Sequence, residues 1–254
     1  MSPHLQPVVL ITGAANGIGA ALAAHLHREE RRLVLVDRDM DALERIAARL
    51  GGSNTPLLLR ADVSREEDVQ GYVAQTLERF GGIDGFASIA GIEGGRGLIE
   101  EQPVEMLDKV YAVNVRGVFL GLKHVLPVMK RQGSGAIVNM SSLAGISAGP
   151  GLAPYIMSKH AVIGLTRTAA AEAASSGVRV NAVLPGPINT GMMQRIEVDS
   201  GDAAGVHDGN LAATPLGRYG EPEEVAALVA FLLSAQASYI TSSLYTIDGG
   251  MSVY

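Results

Sequence analysis

The chain has 254 residues, of which 47% are hydrophobic and 18% charged, with 31 glycines and a formal net charge of −6. This length and composition are typical of a globular chain with a sizeable core, and they exclude a disordered or collagen-like protein. The acidic balance argues against a nucleic-acid partner, whose binding surface would carry an excess of Lys and Arg. The absence of cysteine excludes disulfides and thiolate chemistry, and the six histidines show no ligand spacing. No metal site is expected, although a carboxylate site stays open.

The first residues, Met1 to Pro7, contain no basic segment followed by an apolar one. No run in the chain approaches 18 uninterrupted apolar residues, so neither a secretory leader nor a membrane-spanning helix is predicted. From these features we expect a cytoplasmic protein with no membrane partner.

Short apolar runs alternate with longer amphipathic ones along the whole chain, which is the pattern of βαβ units around a parallel sheet. The sequence therefore predicts one α/β domain over residues 1–254, a Rossmann-type doubly wound parallel sheet of about seven strands with helices on both faces. Ligands of such sheets bind at the carboxyl ends of the strands. The predicted strands are Val8–Thr12, Leu33–Asp37, Pro56–Ala61, Ile83–Ala87, Ala136–Met140, Val178–Leu184 and Leu244–Ile247. The predicted helices are Ile18–His27, Met40–Leu50, Arg65–Phe80, Val104–Met129, Pro154–Ser175 and Pro222–Leu233.

Two connections carry local signals of their own. Before the third predicted helix, Ser64 and Glu67 have the spacing of a capping box, with Ser64 as the N-cap. After the sixth predicted strand, residues 189–215 combine four glycines with polar residues and weak periodicity. Because this stretch follows a strand at the expected ligand edge, it is predicted to be a substrate lid loop, with a plain surface loop as the alternative.

A glycine-rich turn, Thr12-Gly-Ala-Ala-Asn-Gly-Ile-Gly19, follows the first predicted strand and opens the first helix. Glycine permits a tight turn and a close approach of the backbone, and the helix N-terminus offers N–H groups and a partial positive charge to a pyrophosphate. The spacing, Gly-x-x-x-Gly-x-Gly, differs from the commonest dinucleotide fingerprint. The turn indicates a dinucleotide site, with a plain tight turn as the alternative.

Asp37 ends the second predicted strand, 18 residues after Gly19, where a carboxylate can accept hydrogen bonds from both hydroxyls of an adenosine ribose. The same charge would repel a 2′-phosphate, so NAD is favoured over NADP. Arg38 follows and is placed either against a 2′-phosphate or on the adenine, while Asn16 in the glycine turn adds no positive charge. Asp62 would lie beside the adenine amino group or cap a helix. An ordinary turn residue is the alternative for Asp37.

Tyr155 and Lys159 are four residues apart on a predicted helix, so their side chains share one face. A phenol, whose ordinary pKa is about 10, becomes a useful general acid or base at neutral pH when a nearby cation stabilises its phenolate. Packing plus a solvated charge is the simpler interpretation of an isolated pair. Ser142, 13 residues before Tyr155, and the upstream dinucleotide turn favour catalysis instead.

In their order and spacing, these motifs resemble those of the short-chain dehydrogenase/reductase family over essentially the whole chain. The glycine turn is similar to the family's cofactor turn, and Tyr155-x-x-x-Lys159 is similar to its catalytic motif. Pro185-Gly186 resembles its segment after the sixth strand, and Ile247–Gly250 its last strand and turn. The resemblance implies an enzyme that transfers a hydride between NAD and a secondary alcohol or ketone.

The resemblance assigns a catalytic set of Asn114, Ser142, Tyr155 and Lys159. Ser142 would hydrogen-bond the substrate oxygen, and Tyr155 would take its proton during oxidation or return it during reduction. Lys159 would lower the pKa of Tyr155 and hold the nicotinamide ribose. Asn114 would position a water that passes protons on from Lys159, with an exposed helical residue as its alternative. The neighbouring Ser141 is expected to support the turn.

The family also implies contacts along the whole dinucleotide. The backbone of Ile188 and the hydroxyl of Thr190 would bind the nicotinamide carboxamide and so fix the ring face that receives hydride. Two departures from the family pattern are present: Ser88-Ile-Ala-Gly91 replaces Asn-Asn-Ala-Gly, whose asparagines brace the sheet, and Ser242 replaces a usual glycine. The expected cofactor contacts are Gly13, Asn16, Gly17, Ile18, Gly19, Asp37, Arg38, Asp62, Val63, Ala90, Gly91, Tyr155, Lys159, Pro185, Gly186, Ile188 and Thr190.

The expected substrate pocket has mostly small or apolar walls, which favours a compact hydrophobic alcohol, cyclic or aromatic, or a steroid. Glu93 and Arg96 would instead anchor a polar sugar or an acid, and loop packing is the alternative for the two methionines. The expected walls are Ile92, Glu93, Gly149–Leu152, Pro187, Met192 and Met193, with Ser142 and Tyr155 at the reacting carbon.

Two other functions stay open. A 3-ketoacyl-type reductase would use NADP and basic residues near the entrance; Ser176 stands where one is expected, whereas Lys130 and Arg131 keep the idea open. A non-catalytic NAD-binding regulator would need none of the proton chemistry. The family further implies a homotetramer in which Val104–Met129 and Pro154–Ser175 pair between subunits, with internal core packing as the alternative reason for their composition.

Overall fold

The computed structural model of the chain describes residues 6–253 and places seven strands in one parallel sheet. The strands are β1 (Val8–Thr12), β2 (Arg32–Asp37), β3 (Leu57–Arg60), β4 (Gly85–Ser88), β5 (Gly135–Met140), β6 (Val178–Pro185) and β7 (Leu244–Ile247). Their spatial order is β3-β2-β1-β4-β5-β6-β7, so the winding reverses between β1 and β4. This reversal opens a crevice at the carboxyl ends of the strands. The predicted fold class is confirmed.

Helices cover both faces of the sheet. Within residues 6–253, none of them is both long and apolar enough to cross a membrane. The helices are α1 (Gly17–Arg28), α2 (Met40–Leu50), α3 (Glu66–Phe80), α4 (Val104–Tyr111), α5 (Gly117–Gln132), α6 (Ala153–Ala173), α7 (Gly191–Val198), α8 (Ala203–Ala213) and α9 (Pro222–Leu233).

The strands separate two hydrophobic cores because successive side chains point to opposite faces of a sheet. Leu10 and Val34 pack with residues of α3, α5 and α6 on one face, whereas Ile11 and Leu35 pack with α1, α2 and α9 on the other. Each of these four side chains is fully buried. Burying one such side chain stabilises the fold by about 1.5–3 kcal/mol. The two cores hold the carboxyl edge of the sheet rigid.

The long helix predicted from Val104 is interrupted in its middle. Residues Ala112–Arg116 form a π-helical turn between α4 and α5. The turn buries Asn114, which is 1% exposed, and directs its side chain to the backbone of Ile92. Such single π turns inside α-helices are frequent at functional sites.

The predicted capping box at Ser64 is wrong. The Ser64 hydroxyl donates to Asp62 Oδ1 over 2.7 Å and accepts no hydrogen bond from the first N–H groups of α3. The helix begins at Glu66, with Arg65 as its N-cap, and Glu67 pairs with the Arg65 guanidinium. The helix therefore begins one residue later than the box predicts, without a side-chain cap.

The loop predicted for residues 189–215 is also wrong as a description of the backbone, because α7 and α8 lie within it. Each of these helices has a side-chain cap. Thr190 Oγ1 accepts from the Met193 N–H over 3.3 Å, and Asp202 Oδ1 accepts from the Gly205 N–H over 2.9 Å. Caps of this kind contribute about 1 kcal/mol each, which offsets the poor helix propensity of the glycines.

Ser242 adopts a left-handed backbone conformation, with φ of 61°, and its N–H donates to the Val180 carbonyl over 2.8 Å. A side chain in this conformation costs about 1–2 kcal/mol, whereas glycine adopts it freely. We therefore expect Ser242→Gly to raise the free energy of unfolding by about 1 kcal/mol in urea denaturation. The matched control is Ser238→Gly, at an exposed right-handed position, which should lower it. An unchanged or lower stability of Ser242→Gly would contradict the strain argument.

Candidate active site

A cavity of about 1270 Å³ lies at the carboxyl edge of the sheet. The residues predicted for cofactor binding, catalysis and substrate binding all line it, except Gly19 and Asn114, which lie behind its wall. Of the predicted wall 149–152, Gly149 and Leu152 face the cavity. Across residues 6–253, no three His, Asp or Glu side chains are grouped so that they would hold a metal ion.

The glycine turn packs its backbone directly against neighbouring backbone. A Cβ atom on Gly13, whose φ is 70°, would lie 2.7 Å from the Ala90 nitrogen, and one on Gly19 would lie 2.1 Å from the Gly13 oxygen. Asn16 is the N-cap of α1, but its side chain makes no capping hydrogen bond. The first N–H groups of the helix therefore point toward the cavity without a side-chain cap, which fits a pyrophosphate.

Two carboxylates lie at the far end of the cavity from the tyrosine, after β2 and β3. Asp37 Oδ2 accepts from the Ala15 N–H over 3.1 Å, which joins it to the glycine turn. Asp62 accepts from both the N–H and the hydroxyl of Ser64, over 2.9 and 2.7 Å. Partial burial acts to raise the pKa of Asp62, but the bonds from Ser64 and the charge of Arg38 bring it below its ordinary value. Asp62 thus stays ionised and braces the start of α3.

Lys159 lines the cavity and is almost fully buried. Its Nζ donates to the Met140 carbonyl over 3.0 Å and lies 5.4 Å from the centre of the Tyr155 ring. Burial lowers the pKa of Lys159 to about 8. Removing the ammonium from water disfavours its charged form. The single hydrogen bond to the Met140 carbonyl does not fully compensate for the lost hydration.

The pKa of Tyr155 is raised above its ordinary value. Burial is the largest cause, a hydrogen bond with Ser142 opposes it, and the charge of Glu93 raises it further. Lys159 was expected to lower the pKa of Tyr155. In this structure burial, which raises that pKa, has the larger effect. The protein therefore holds Tyr155 neutral, ready to donate a proton.

Ser142 and Ser141 have different partners, as expected from their spacing. Ser142 Oγ accepts from the Ala144 N–H over 3.2 Å and lies 3.5 Å from the Pro185 carbonyl, facing the cavity. Ser141 is buried, and its hydroxyl donates to the Lys159 carbonyl over 2.9 Å. Ser142 is the serine that a substrate oxygen can reach, whereas Ser141 fixes α6 to the end of β5.

Asn114 joins three parts of the site. Its Oδ1 accepts from the Ile92 N–H and its Nδ2 donates to the Ile92 carbonyl, both over 2.8 Å. The Nδ2 group also donates to Ser158 Oγ over 3.0 Å, and that hydroxyl donates to the Tyr155 carbonyl over 2.7 Å. The alternative of an exposed helical residue is wrong. The positioning of a water by Asn114 stays a prediction.

The backbone that follows Ser88 and Ile89, which stand in place of the family's two asparagines, is braced by other contacts. The segment after Ser88 is held by the two bonds from Asn114 to Ile92, and the Ala90 N–H lies 3.5 Å from Thr12 Oγ1. These contacts come from the π turn and from β1, so the segment is braced without asparagines at positions 88 and 89.

The substrate half of the cavity contains an ion pair that the sequence did not predict. Arg195, on α7, places Nε and Nη2 against the two carboxylate oxygens of Glu93. The Glu93 side chain is 11% exposed and that of Arg195 is 60% exposed. No sequence signal linked these residues, because Arg195 lies in the segment that was predicted to be a loop.

The helices α7 and α8 are anchored on their other side by a polar cluster. Glu197 Oε1 accepts from the Tyr219 hydroxyl over 2.6 Å and lies 3.2 Å from His207 Nδ1. Burial, followed by the bond to Glu197, raises the pKa of Tyr219 to about 12. These contacts fix the position of α7 over the cavity, and its movement as a lid stays a prediction.

The chain is similar to known oxidoreductases over most of its length. A family model described as enoyl-(acyl carrier protein) reductase matches residues 13–252. Levodione reductase of Leifsonia aquatica is 43% identical over 96% of this chain and 94% of its own. A 2-(R)-hydroxypropyl-CoM dehydrogenase of Xanthobacter autotrophicus is 40% identical over 96% of this chain and 98% of its own.

Solved structures show the same fold along the full length. The crystal structure of levodione reductase has a TM-score of 0.95 and 42% identity, covering 99% of this chain and 100% of that one. NAD+-bound xylitol dehydrogenase has a TM-score of 0.93 and 34% identity, covering 96% and 98%. ElxO with NADP bound has a TM-score of 0.90 and 33% identity, covering 98% and 100%.

The fold and the site define an oxidoreductase that uses a nicotinamide dinucleotide. The chain belongs to the short-chain dehydrogenase/reductase family, whose members related to it interconvert alcohols and ketones.

The low pKa of Lys159 gives the stability of the protein a defined pH dependence. Between about pH 8 and the ordinary value of 10.5, the unfolded chain binds more protons at this lysine than the folded chain does, so its contribution to stability rises with pH. We expect the free energy of unfolding of the natural protein, relative to Lys159→Met, to rise by about 2 kcal/mol from pH 8 to pH 10. Urea denaturation at both pH values measures this difference.

The exposed Lys109 provides the control, because Lys109→Met should leave the difference between the two pH values unchanged. If Lys159→Met and Lys109→Met gave the same dependence, the buried ammonium would not be the cause.

Proposed function

We propose that this protein is an NAD-dependent oxidoreductase that interconverts a secondary alcohol and a ketone, with Tyr155 as the general acid and base. The observation that carries the proposal is the convergence of Ser142, Tyr155 and Lys159 at the end of a cleft whose other end is a glycine turn shaped for a pyrophosphate. When bound, the nicotinamide supplies the hydride acceptor or donor.

The chain's own residues move the proton. In oxidation, Ser142 Oγ binds the alcohol oxygen, and Tyr155, in its phenolate form, accepts the proton and becomes the neutral phenol. In reduction, the neutral Tyr155 donates that proton to the ketone oxygen. Lys159 lies 5.4 Å from the phenol ring and so stabilises the phenolate whenever it forms. Burial strengthens this attraction because the site excludes much of the screening water.

The preference for NAD rests on the charges at the adenosine end. Two carboxylates, Asp37 and Asp62, line this end, and Arg38 is the adjacent cation, whose charge acts on Asp62. The balance is negative, so a 2′-phosphate would be repelled, whereas ribose hydroxyls would find an acceptor in Asp37. Related structures hold NAD+ in one case and NADP in another, so the preference is argued from this chain alone.

The composition of the surface supports an assembly. Val104, Tyr111, Phe119 and Met157 lie on α4, α5 and α6 and are between 43% and 65% exposed. Pairing of these helices between copies would cover their apolar side chains, and the proposed assembly is a homotetramer. The proposed location is the cytoplasm, on the grounds given by the sequence.

The role of Asp37 is tested by exchanging its charge. We expect Asp37→Ser to lower kcat/KM with NAD by about tenfold and to raise it with NADP, because about 1.4 kcal/mol of ribose binding is lost and the repulsion is removed. Steady-state kinetics with both dinucleotides and a panel of secondary alcohols measure the change. Asp41→Ser, at an exposed position on α2, should match the natural protein. Equal use of both dinucleotides by the natural protein would contradict the assignment.

The role of Tyr155 is tested by removing its hydroxyl. We expect Tyr155→Phe to lower kcat by about 10²–10⁴-fold, the usual contribution of a general acid or base. Affinity for NAD, measured by titration calorimetry, should stay nearly unchanged. Tyr239→Phe, at a fully exposed tyrosine, is the matched control. Full activity of Tyr155→Phe would refute the mechanism, while NAD binding without turnover of any alcohol by the natural protein would favour the regulator.

A further inference from the structure

The proton-transfer mechanism leaves one buried charged group without a role. Glu93 lines the substrate half of the cavity, and among residues 6–253 its side chain has hydrogen bonds only with Arg195. Burying an ionised carboxylate is unfavourable unless it is paired and hydrogen-bonded. A leucine would fill an apolar pocket at no such cost, so the carboxylate calls for an explanation in binding rather than in packing.

The backbone that carries Glu93 is held rigidly. Both backbone polar groups of the preceding Ile92 bond to the Asn114 amide group. The following Gly94 has φ of 78°, and a Cβ atom there would lie 2.6 Å from Val110 Cγ2. Because the residues on both sides of Glu93 are fixed, its side chain starts from a fixed backbone position. A binding group held in this way can select among ligands.

Arg195 is positioned equally firmly from the other side of the cavity. It lies on α7, and Glu197, two residues along the same helix, is bonded to Tyr219. The hydrogen bond to Glu93 is the main cause that raises the pKa of Arg195 above its ordinary value. Neither member of the Glu93–Arg195 pair needs to move when a ligand enters.

The pair retains unused hydrogen-bonding capacity toward the cavity. An ionised carboxylate offers about four acceptor sites and a guanidinium five donors, whereas Glu93 and Arg195 share only two hydrogen bonds. Together they carry no net charge. They therefore offer one acceptor and one donor to a neutral group, and a hydroxyl, which both donates and accepts, is complementary to them.

The other charged groups around this half of the cavity lie near its rim. Arg96 and Lys109 line the cavity but are solvent-exposed, as is Asp199. Arg195 is also exposed, but within residues 6–253 it is the cation that is hydrogen-bonded to the buried Glu93, whereas Arg96, Lys109 and Asp199 make no hydrogen bond to that carboxylate. The inner walls include Leu152 and Met192, which suit the hydrocarbon part of a substrate.

We propose that Glu93 and Arg195 form a polar subsite for a second hydroxyl group of the substrate, so that the enzyme prefers neutral diols to the corresponding mono-alcohols. This inference rests on the proposed function, because it names the substrate class of the same site. Glu93 accepts the hydrogen bond from that second hydroxyl, and Arg195 donates one to it. The first hydroxyl then lies at Ser142 and Tyr155.

The test compares matched substrates on the same protein preparation. Two pairs are used with NAD: cyclohexane-1,4-diol against 4-methylcyclohexanol, and hexane-2,5-diol against 2-hexanol. We expect the natural protein to favour the diol of at least one pair by about tenfold or more in kcat/KM, the usual effect of one satisfied or unsatisfied buried polar contact. Glu93→Leu should reduce this ratio to about one or reverse it.

Two further variants sharpen the result. Glu93→Gln keeps an acceptor oxygen and should retain part of the preference, whereas Arg195→Met should lose much of it. Glu44→Leu, at an exposed position on α2 outside the cavity, is the control and should keep the ratio of the natural protein. Poor folding of a variant lowers kcat/KM for the diol and for the mono-alcohol by the same factor. It therefore does not change the ratio of the two values.

The outcomes separate this inference from the proposed function. Turnover of mono-alcohols and diols without a diol preference, or with a preference that Glu93→Leu leaves intact, would overturn the subsite and leave the oxidoreductase standing. No turnover of any alcohol with NAD or NADP would instead overturn the proposed function itself.

Discussion

The two hydrogen bonds between the Asn114 side chain and the backbone of Ile92 hold the catalytic half of the molecule together. Asn114 is buried and Ile92 is partly buried, so losing the amide would leave an N–H and a carbonyl of Ile92 without these partners, at up to about 1–3 kcal/mol each. The same amide bonds Ser158, which in turn bonds the Tyr155 carbonyl. The backbone after β4 and the helix that carries the phenol are therefore fixed by one side chain, and the π turn is what places it there.

Burial then acts on the two catalytic ionisable groups in opposite directions. It raises the pKa of Tyr155 and lowers that of Lys159, because in both cases the neutral form is favoured. The pKa of Tyr155 and the pKa of Lys159 therefore move apart. A phenolate and an ammonium that are present together stabilise each other and oppose this effect. Tyr155 accepts a proton from a bound alcohol most readily when its phenolate lies beside the Lys159 ammonium. The spacing of four residues on one helix face matters because it keeps the two groups within reach.

Much of the fold follows from the sequence because its signals are local. Buried parallel strands are continuous apolar runs, and the glycines of the cofactor turn and the Tyr155–Lys159 spacing can be read without a partner segment. The failures are side-chain hydrogen bonds that residue type and spacing do not determine. Ser64 donates to Asp62 instead of capping the helix, and Glu93 pairs with Arg195, 102 residues later. The helices α7 and α8 were not predicted because their glycines have poor helix propensity. The side-chain caps of Thr190 and Asp202 offset that propensity.

The position of α7 links these features to substrate choice. Arg195 faces inward to Glu93, whereas Glu197 bonds outward to Tyr219. A helix held by polar contacts on both sides has few positions in which all of them are satisfied, and displacing it would expose the buried Glu93 without a partner. An unpaired Glu93 would be unfavourable while it stays buried, so the pairing favours this position of α7. In the proposed subsite a substrate hydroxyl uses the remaining hydrogen-bonding capacity of both groups, so substrate recognition is compatible with the helix in this position.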